Sequence, residues 1–283
     1  MIIKIIGGAA FIIIILIVIY TYTLILAQKL PFNSPADFLK KSAQDNNQKT
    51  VVCVGNSITH GRVSYNYVNI LSDLLSDHGY HFTNAGINGN LAYNVVKRLD
   101  AIIKCDPDYV TVLIGTNDAN ASLSKKNSAR YMNDMALPEE PNAKFFRKNV
   151  EELIFQLKKR TNAKIAILSL PPIGEDIDHI AYQRTKEYSV IIRDVAQEND
   201  VDYLPLHENI TEYLISENHR PRLSYENGFR RIMINGFLSH FLLGTSFDKI
   251  ATNNGFLIVT DFLHLNHRGA KIVADLIKNW IFK

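Results

Sequence analysis

The chain is poor in cysteine, and its charges are nearly balanced. Its 283 residues include only Cys53 and Cys105, which form no CxxC pair, so a disulfide scaffold and a cysteine-rich zinc site are disfavoured. The 31 Lys and Arg against 28 Asp and Glu leave a net charge of +3, without the strong basic bias of a dedicated nucleic-acid-binding protein. With 47% hydrophobic and 21% charged residues, the composition is that of a globular protein.

Several common site signatures are also missing. No G-x-x-x-x-G-K-[ST] or G-x-G-x-x-G segment is present, which argues against the usual phosphate and dinucleotide cradles. The G-x-S-x-G elbow of α/β-hydrolases fails around Ser57, because Thr59 occupies the place of the second glycine. Internal repeats and low-complexity tracts are absent as well. Any functional site therefore depends on sequence segments other than these signatures.

One long hydrophobic run stands apart at the N-terminus. No charged residue occurs from Ile5 to Ala27, and a helix of about 23 residues is about 34 Å long, which matches a hydrocarbon core of about 30 Å. We therefore predict that residues 1–28 form a transmembrane signal-anchor, with the rest of the chain outside the cytoplasm. The main alternative is a cleaved signal peptide, which would leave a secreted protein, although its apolar core usually spans only about 7–15 residues.

Beyond a polar segment at 29–49, which we predict to be a linker, β-branched runs alternate with stretches of helical periodicity. Such alternation is typical of a parallel sheet covered by helices on both sides. The predicted strands cover residues 51–55, 81–86, 109–115, 164–170 and 201–206. The predicted helices cover residues 65–77, 91–103, 145–159, 182–196 and 270–281. We therefore predict one α/β domain over residues 50–283, with a five-stranded parallel sheet.

Two segments do not fit the alternation and are predicted to be insertions. The first covers about 119–142 and is polar; the second covers about 207–254 and contains an apolar run with two arginines at 229–243. Long insertions in α/β domains often shape the active site. The run at 229–243 fits a lid or acyl-chain wall that rests on a lipid surface, and it equally fits an extra helix packed on the core.

Polar and glycine-containing blocks follow three of the predicted strands and precede the last helix. In a parallel sheet, ligands bind at the carboxyl ends of the strands, so residues that follow different strands meet there. The blocks are Gly-Asn-Ser-Ile-Thr at 55–59, Asn-Ala-Gly-Ile-Asn-Gly-Asn at 84–90, Gly-Thr-Asn-Asp at 115–118 and Asp-Phe-Leu-His at 261–264. Singly, each is an ordinary turn or helix cap. Together at one edge of a sheet, they indicate a catalytic site.

These four blocks, in this order, resemble the SGNH (GDSL-like) hydrolases over roughly residues 50–283. The resemblance implies a flavodoxin-like three-layer α/β/α fold, hydrolysis of esters or related acyl groups, and no metal or organic cofactor. Asn56 departs from the Gly-Asp-Ser that gives the family one of its names. That aspartate is not the catalytic carboxylate, so the departure leaves the mechanism intact.

The resemblance assigns roles to five residues. Ser57 is the implied nucleophile, and Asp261 and His264 are the implied D-x-x-H pair. The implied oxyanion hole consists of the backbone of Ser57, the backbone of Gly89 and the side-chain amide of Asn117. The chemistry agrees with these roles: a serine hydroxyl needs a base, imidazole titrates in a suitable range, and a carboxylate three residues earlier can hold the imidazole in one tautomer.

Some alternatives stay open at this stage. Gly86 is an alternative to Gly89 in the second block. His267 is an alternative base, and with His264 it forms an H-x-x-H pair that would suit a metal, although no third ligand is evident. The substrate is predicted to be a small-molecule or lipid ester, with no nucleic-acid partner. Carbohydrate O-acetyl esters, acyl transfer in place of hydrolysis, and a membrane-tethered binding module without activity are the competing hypotheses; the oligomeric state is not indicated.

Overall fold

A parallel sheet forms the centre of the computed structural model, which describes residues 2–40 and 48–283, except for the side chains of residues 2–13, Leu16 and Asn227. The strands are β1 (Lys49–Gly55), β2 (Tyr80–Gly86), β3 (Tyr109–Leu113), β4 (Lys164–Leu168) and β5 (Asp202–Leu204). They lie in the order β2-β1-β3-β4-β5, and all neighbouring pairs are parallel. The predicted five-stranded parallel sheet is confirmed.

The helices connect the strands and cover both faces of the sheet. They are α1 (Ile2–Gln28), α2 (Pro35–Lys40), α3 (Ser57–His60), α4 (Tyr67–Leu75), α5 (Ala92–Lys97), α6 (Leu99–Ile103), α7 (Thr116–Ala121), α8 (Lys125–Asp134), α9 (Ala143–Arg160), α10 (Ile180–Glu198), α11 (Leu206–Ser216), α12 (Tyr225–Leu243), α13 (Phe247–Asn254) and α14 (His267–Ile281), with a 3-10 turn at Ser76–His78.

Alternate residues of the strands feed two separate cores. On β1, Val51 and Cys53 pack with apolar residues of α4 and α14, whereas Val52 and Val54 pack with residues of α9 and α10. Successive side chains of a strand point to opposite faces, so a strand that is apolar throughout must be covered on both sides. This explains why the strands lack polar alternation and why the domain has three layers.

The register of the sheet brings three segments to one edge. Gly55, the last residue of β1, pairs with Gly86 of β2 and with Leu113 of β3. A Cβ atom at Gly86 would lie 2.1 Å from the backbone nitrogen of His60, so only glycine lets α3 pack this closely against β2. The loops after β1, β2 and β3 therefore start side by side.

The two predicted insertions contain helices. The segment at 119–142 includes α8, and the segment at 207–254 includes most of α11 together with α12 and α13. The apolar run at 229–243 belongs to α12, whose Ile232 is buried, whereas Ile234 is 48% exposed. One face of this helix thus packs on the domain and the other meets solvent.

The N-terminal segment gives no structural support to the predicted anchor. Among the residues that the structure describes, none of the helices has the length and hydropathy needed to cross a membrane. The prediction for 1–28 rests largely on residues whose side chains lie outside that description.

Part of the segment predicted as a linker packs on the edge of the sheet. Asn33 accepts a hydrogen bond from the backbone N–H of Asn84 at 2.9 Å and donates one to the carbonyl of Phe82 at 3.1 Å. Phe38 of α2 is buried beside β2. These contacts satisfy backbone groups that an edge strand otherwise leaves open.

A fully buried carboxyl group joins the loop after β2 to the helix after β3. Asp118 of α7 accepts hydrogen bonds from the backbone N–H of Ala92 at 3.2 and 3.3 Å, and it is 1% exposed. Burial is the main cause that raises the pKa of Asp118 from 3.8 to about 7. Because the folded state holds this proton more tightly than the unfolded state, stability falls as the pH rises from about 4 to about 7.

We expect Asp118→Asn to remove this part of the pH dependence. Between pH 5 and pH 7 the wild-type chain should lose about 2 kcal/mol of unfolding free energy relative to the variant, since the variant carries no proton to release. Urea unfolding of both proteins at pH 5, 6, 7 and 8 measures the difference. Parallel pH profiles for the two proteins would contradict the assignment.

Candidate active site

Ser57 is held at the first residue of a helix by the turn that follows β1. Asn56 caps α3, with its side-chain oxygen accepting from the N–H of Ile58 at 3.0 Å. A Cβ atom at Gly55 would lie 2.1 Å from the hydroxyl of Thr59, so the turn needs glycine there. The resulting tight turn presents the Ser57 hydroxyl at the carboxyl edge of the sheet.

Asp261 and His264 lie in a short hairpin just before α14. Val259 and Leu265 form an isolated antiparallel bridge that closes the hairpin. Within it, the Asp261 Oδ1 atom accepts from the N–H groups of Leu263 at 3.2 Å and His264 at 3.0 Å. The D-x-x-H spacing is therefore an Asx-type turn, in which the carboxylate is fixed by the backbone of the residues that it precedes.

Phe262, between the aspartate and the histidine, has a left-handed backbone with φ of 78°. This conformation is unfavourable for a bulky residue. Its ring is 2% exposed and packs against Phe256, at 5.0 Å between centroids, and against Tyr225 and Phe229 of α12. Aromatic packing thus holds the hairpin in its strained shape.

The three side chains predicted as a catalytic set are in hydrogen-bond contact. His264 Nδ1 lies 2.8 Å from Asp261 Oδ2, and His264 Nε2 lies 3.0 Å from Ser57 Oγ. Each of the three residues is 7% exposed. Since an ionised carboxylate only accepts, Nδ1 donates to Asp261, which leaves Nε2 as the acceptor of the serine proton.

Asn117 is the second residue of α7, the helix that follows β3, and its side-chain amide is oriented by two partners. Its Nδ2 donates to the carbonyl of Asn90 at 3.0 Å, and its Oδ1 accepts from the Tyr131 hydroxyl at 2.9 Å. The second Nδ2 hydrogen has no protein acceptor among the described residues. Tyr131 belongs to α8, so the insertion at 119–142 orients this amide.

Gly86 and Gly89, which the sequence left as alternatives, have different surroundings. Gly86 ends β2 and packs against the backbone of α3. Gly89 lies in the loop beside Asn90, has φ of 78°, and would place a Cβ atom 2.5 Å from Met135 Cε. Only Gly89 thus lies in the loop that supplies the acceptor for Asn117.

Two functional supports were missed in the sequence. The Arg98 Nε atom donates to Asn90 Oδ1 at 2.8 Å, and its Nη2 atom donates to the Gly55 carbonyl at 3.0 Å. Burial without a carboxylate partner lowers the pKa of Arg98 to about 10. This guanidinium ties the loop after β2 to the turn that carries Ser57. Its place inside the predicted helix 91–103 gives no indication of that role, whereas in the structure Arg98 follows the last residue of α5.

The second missed support is Glu175, whose side chain is fully buried. Its carboxylate accepts from the N–H groups of Leu257, Ile258 and Val259 at 2.6–3.0 Å and lies 2.7 Å from His219 Nε2. Burial is the main cause that raises the pKa of Glu175. The carboxylate fixes the backbone of residues 257–259, which lead into the Asp261 hairpin, and no sequence pattern indicates this role.

The alternatives that involve His267 do not match its surroundings. His267 is exposed and its ring lies against Tyr65, at 4.8 Å between centroids, whereas His264 occupies the position next to Ser57. Within the described part of the chain, no group of three or more His, Cys, Asp or Glu side chains is placed to hold a metal ion. The expectation that no cofactor is needed stays a prediction.

Three solved structures that share this fold are named as acetyl xylan esterases or as a lipase/acylhydrolase. An acetyl xylan esterase, AlAXEase, aligns with a TM-score of 0.60 and 23% identity, covering 82% of this chain and 99% of that one. Axe2, an acetylxylan esterase from Geobacillus stearothermophilus, aligns with a TM-score of 0.59 and 16% identity, covering 82% of this chain and 94% of that one. A lipase/acylhydrolase from Enterococcus faecalis aligns with a TM-score of 0.55 and 18% identity, covering 83% of this chain and 95% of that one. At these identities the likeness shows the fold.

The sequence itself also matches a family model. A search of curated proteins finds no match. The model of the GDSL-like Lipase/Acylhydrolase family, in contrast, matches residues 53–272, a stretch that runs from β1 into α14 and includes Ser57, Asp261 and His264. The chain therefore belongs to the GDSL-like Lipase/Acylhydrolase family and is an ester hydrolase.

Proposed function

We propose that the enzyme hydrolyses carboxylic esters through an acyl-enzyme formed on Ser57. The observation that carries the proposal is the continuous set of contacts from Asp261 through His264 to the Ser57 hydroxyl, with distances of 2.8 and 3.0 Å. A neutral imidazole held in this tautomer is a general base for the serine proton. The predicted roles of the three residues are thus the ones that their geometry supports.

The first half of the reaction transfers the acyl group to the enzyme. Ser57 Oγ attacks the ester carbonyl while its proton passes to His264 Nε2, and Asp261 stabilises the imidazolium that forms. The N–H groups of Ser57 and Gly89 and the free Nδ2 hydrogen of Asn117 are proposed to donate to the oxyanion. The imidazolium then gives its proton to the departing alkoxide, and an alcohol leaves.

The second half returns the enzyme to its starting state. Water takes the place of the alcohol and gives a proton to His264 Nε2 as its oxygen attacks the acyl-enzyme. Collapse of the second tetrahedral intermediate releases the carboxylic acid and returns the proton to Ser57. A sugar hydroxyl in place of water would give acyl transfer, and product analysis with a polyol acceptor distinguishes the two reactions.

O-acetylated carbohydrate is the second candidate substrate. Two of the structural neighbours described above are acetyl xylan esterases by name, and the proposed mechanism applies to an acetyl group as to any other acyl group. A non-catalytic binding module is disfavoured, because such a module has no need for the hydrogen bond between His264 Nε2 and Ser57 Oγ.

Covalent labelling tests the proposed nucleophile. A fluorophosphonate probe should label the wild-type chain at Ser57, and Ser57→Ala should abolish labelling and lower kcat for nitrophenyl acetate by about 10⁴-fold or more. Ser76→Ala is the matched control, since Ser76 is an exposed serine on the 3-10 turn. Labelling of the folded Ser57→Ala protein at the wild-type rate would refute the assignment.

The contact between Tyr131 and Asn117 generates a separate prediction. Tyr131→Phe removes the hydroxyl that orients Asn117 Oδ1, so kcat should fall about tenfold with little change in KM, because an oxyanion donor acts mainly in the transition state. Asn117→Ala, which removes the donor itself, should cost about 10²–10³ in kcat.

Tyr93→Phe is the control for this pair of variants. Tyr93 packs in the same apolar cluster as Tyr131, yet its hydroxyl makes no hydrogen bond to Asn117. Steady-state kinetics of the three variants should leave Tyr93→Phe at the wild-type kcat. An equal loss of kcat for Tyr93→Phe and Tyr131→Phe would assign the effect to packing instead.

We also propose that residues 1–28 tether the enzyme to a membrane with its catalytic domain outside the cytoplasm. The support is the uncharged run from Ile5 to Ala27 in the sequence. The full chain should stay in the membrane fraction after a carbonate wash, and the double substitution Ile15→Asp and Val18→Asp should release it, because each aspartate opposes insertion by about 3 kcal/mol. Recovery of the wild-type chain in the supernatant would refute the tether.

A further inference from the structure

An apolar cavity of about 70 Å³ lies beside the catalytic histidine, under α12. Its walls come from α12, from α13 and from the hairpin that carries Asp261 and His264. The hairpin contributes Thr260, Asp261 and His264 to the lining. The second insertion therefore contributes most of the cavity, and the catalytic hairpin closes one side of it.

The cavity lies on the histidine side of the proposed catalytic set, and this position indicates which part of an ester it could bind. It borders His264 and Asp261, whereas Ser57, Gly89 and Asn117 are not among its lining residues. In serine-dependent ester cleavage, the imidazolium must protonate the leaving oxygen, so the departing alcohol lies on the histidine side and the carbonyl oxygen lies toward the oxyanion donors. A cavity against the histidine is thus placed for the alcohol part of an ester.

Most of the polar atoms that line this cavity already have hydrogen-bond partners within the protein. The Asp261 carboxylate accepts from two backbone N–H groups and from His264 Nδ1. The Thr260 hydroxyl donates to the His264 carbonyl at 3.2 Å, and His240 Nδ1 lies 3.0 Å from the carbonyl of Thr245. A sugar would have to bury several hydroxyl groups here with few partners, and each unpaired hydroxyl costs free energy.

We propose that this cavity binds the alcohol part of the ester and selects a short unbranched alkyl alcohol over a carbohydrate; the proposal rests on the proposed function. The apolar walls, Met233, Phe237, Phe241, Phe247 and Ile250, are suited to bury methylene groups. The volume is about half of the 150 Å³ of a cavity that holds benzene, so it suits a chain of a few carbons.

Gly236 keeps the cavity open. A Cβ atom at this buried position of α12 would lie 3.4 Å from Ile250 Cγ2 and 4.0 Å from Asp261 Cβ, which are ordinary contact distances. A glycine inside a helix is destabilising relative to alanine, and here its benefit is the space that a larger side chain would take. A leucine at 236 should therefore occupy the volume proposed for the alcohol.

The test compares two series of simple esters on the wild-type chain. In the acetate series from methyl to propyl and butyl acetate, kcat/KM should rise by up to about fourfold for each methylene that is buried, and it should level off at hexyl acetate. Peracetylated methyl xyloside should be hydrolysed more slowly than butyl acetate. In the acyl series from methyl acetate to methyl hexanoate, the trend should differ from the alcohol series.

Three variants locate the effect in the cavity. Gly236→Leu should bring the butyl-to-methyl acetate ratio of kcat/KM close to one, whereas Phe237→Ala, which widens the cavity, should move the preferred alcohol to hexyl. Ile234→Ala is the control, since Ile234 lies on the exposed face of α12 and does not line the cavity. Its ratio should equal that of the wild-type chain.

The outcomes separate failure of this proposal from failure of the proposed function. A flat alcohol series in an enzyme that still reacts with the fluorophosphonate at Ser57 would overturn the alcohol site and leave the ester hydrolase mechanism standing. If the kcat/KM ratios among the acetates are unchanged in Phe237→Ala, the alcohol site is overturned as well. This result is decisive even if Gly236→Leu is inactive. A chain that hydrolyses no ester and takes no label would instead refute the mechanism.

Discussion

The hydrogen bond between His264 and Ser57 joins residues 207 positions apart, and the rest of the site depends on it. One end is fixed by the register of β1 with β2 and β3, which brings the turn at Gly55 to a shared edge. The other end is fixed by a hairpin whose carboxylate is bound by its own backbone. Neither local structure has a catalytic use without the other.

The supports of this contact are buried ionisable groups at the base of each loop. Arg98 connects the Gly55 carbonyl to Asn90, and Glu175 accepts from three successive N–H groups of the segment before Asp261. Buried charges are costly unless hydrogen-bonded, so both groups favour one arrangement of the backbone around them. These bonds fix the backbone that positions the proposed catalytic side chains.

The sequence was sufficient for the features that are encoded locally. Apolar runs such as 51–55 identified the five strands, and the turn chemistry of Gly-Asn-Ser and Asp-x-x-His located Ser57, Asp261 and His264 at one edge. Arg98, Glu175 and Tyr131 were missed because their partners lie far away in sequence, and no periodicity reports such contacts. The sequence shows the apolar run of α12, but the cavity beneath this helix depends on three-dimensional packing and has no signature in the sequence.

Phe262, with its left-handed backbone, couples the hairpin that carries Asp261 and His264 to the neighbouring helix α12. Its backbone conformation is stabilised because its ring packs against Tyr225 and Phe229, which belong to α12, the helix that covers the cavity. By reciprocity, a molecule that binds more tightly when this helix is firmly seated also favours the aligned hairpin, and alignment favours the molecule by the same factor. Binding of the proposed alcohol in this way would therefore be linked thermodynamically to the alignment of the hairpin.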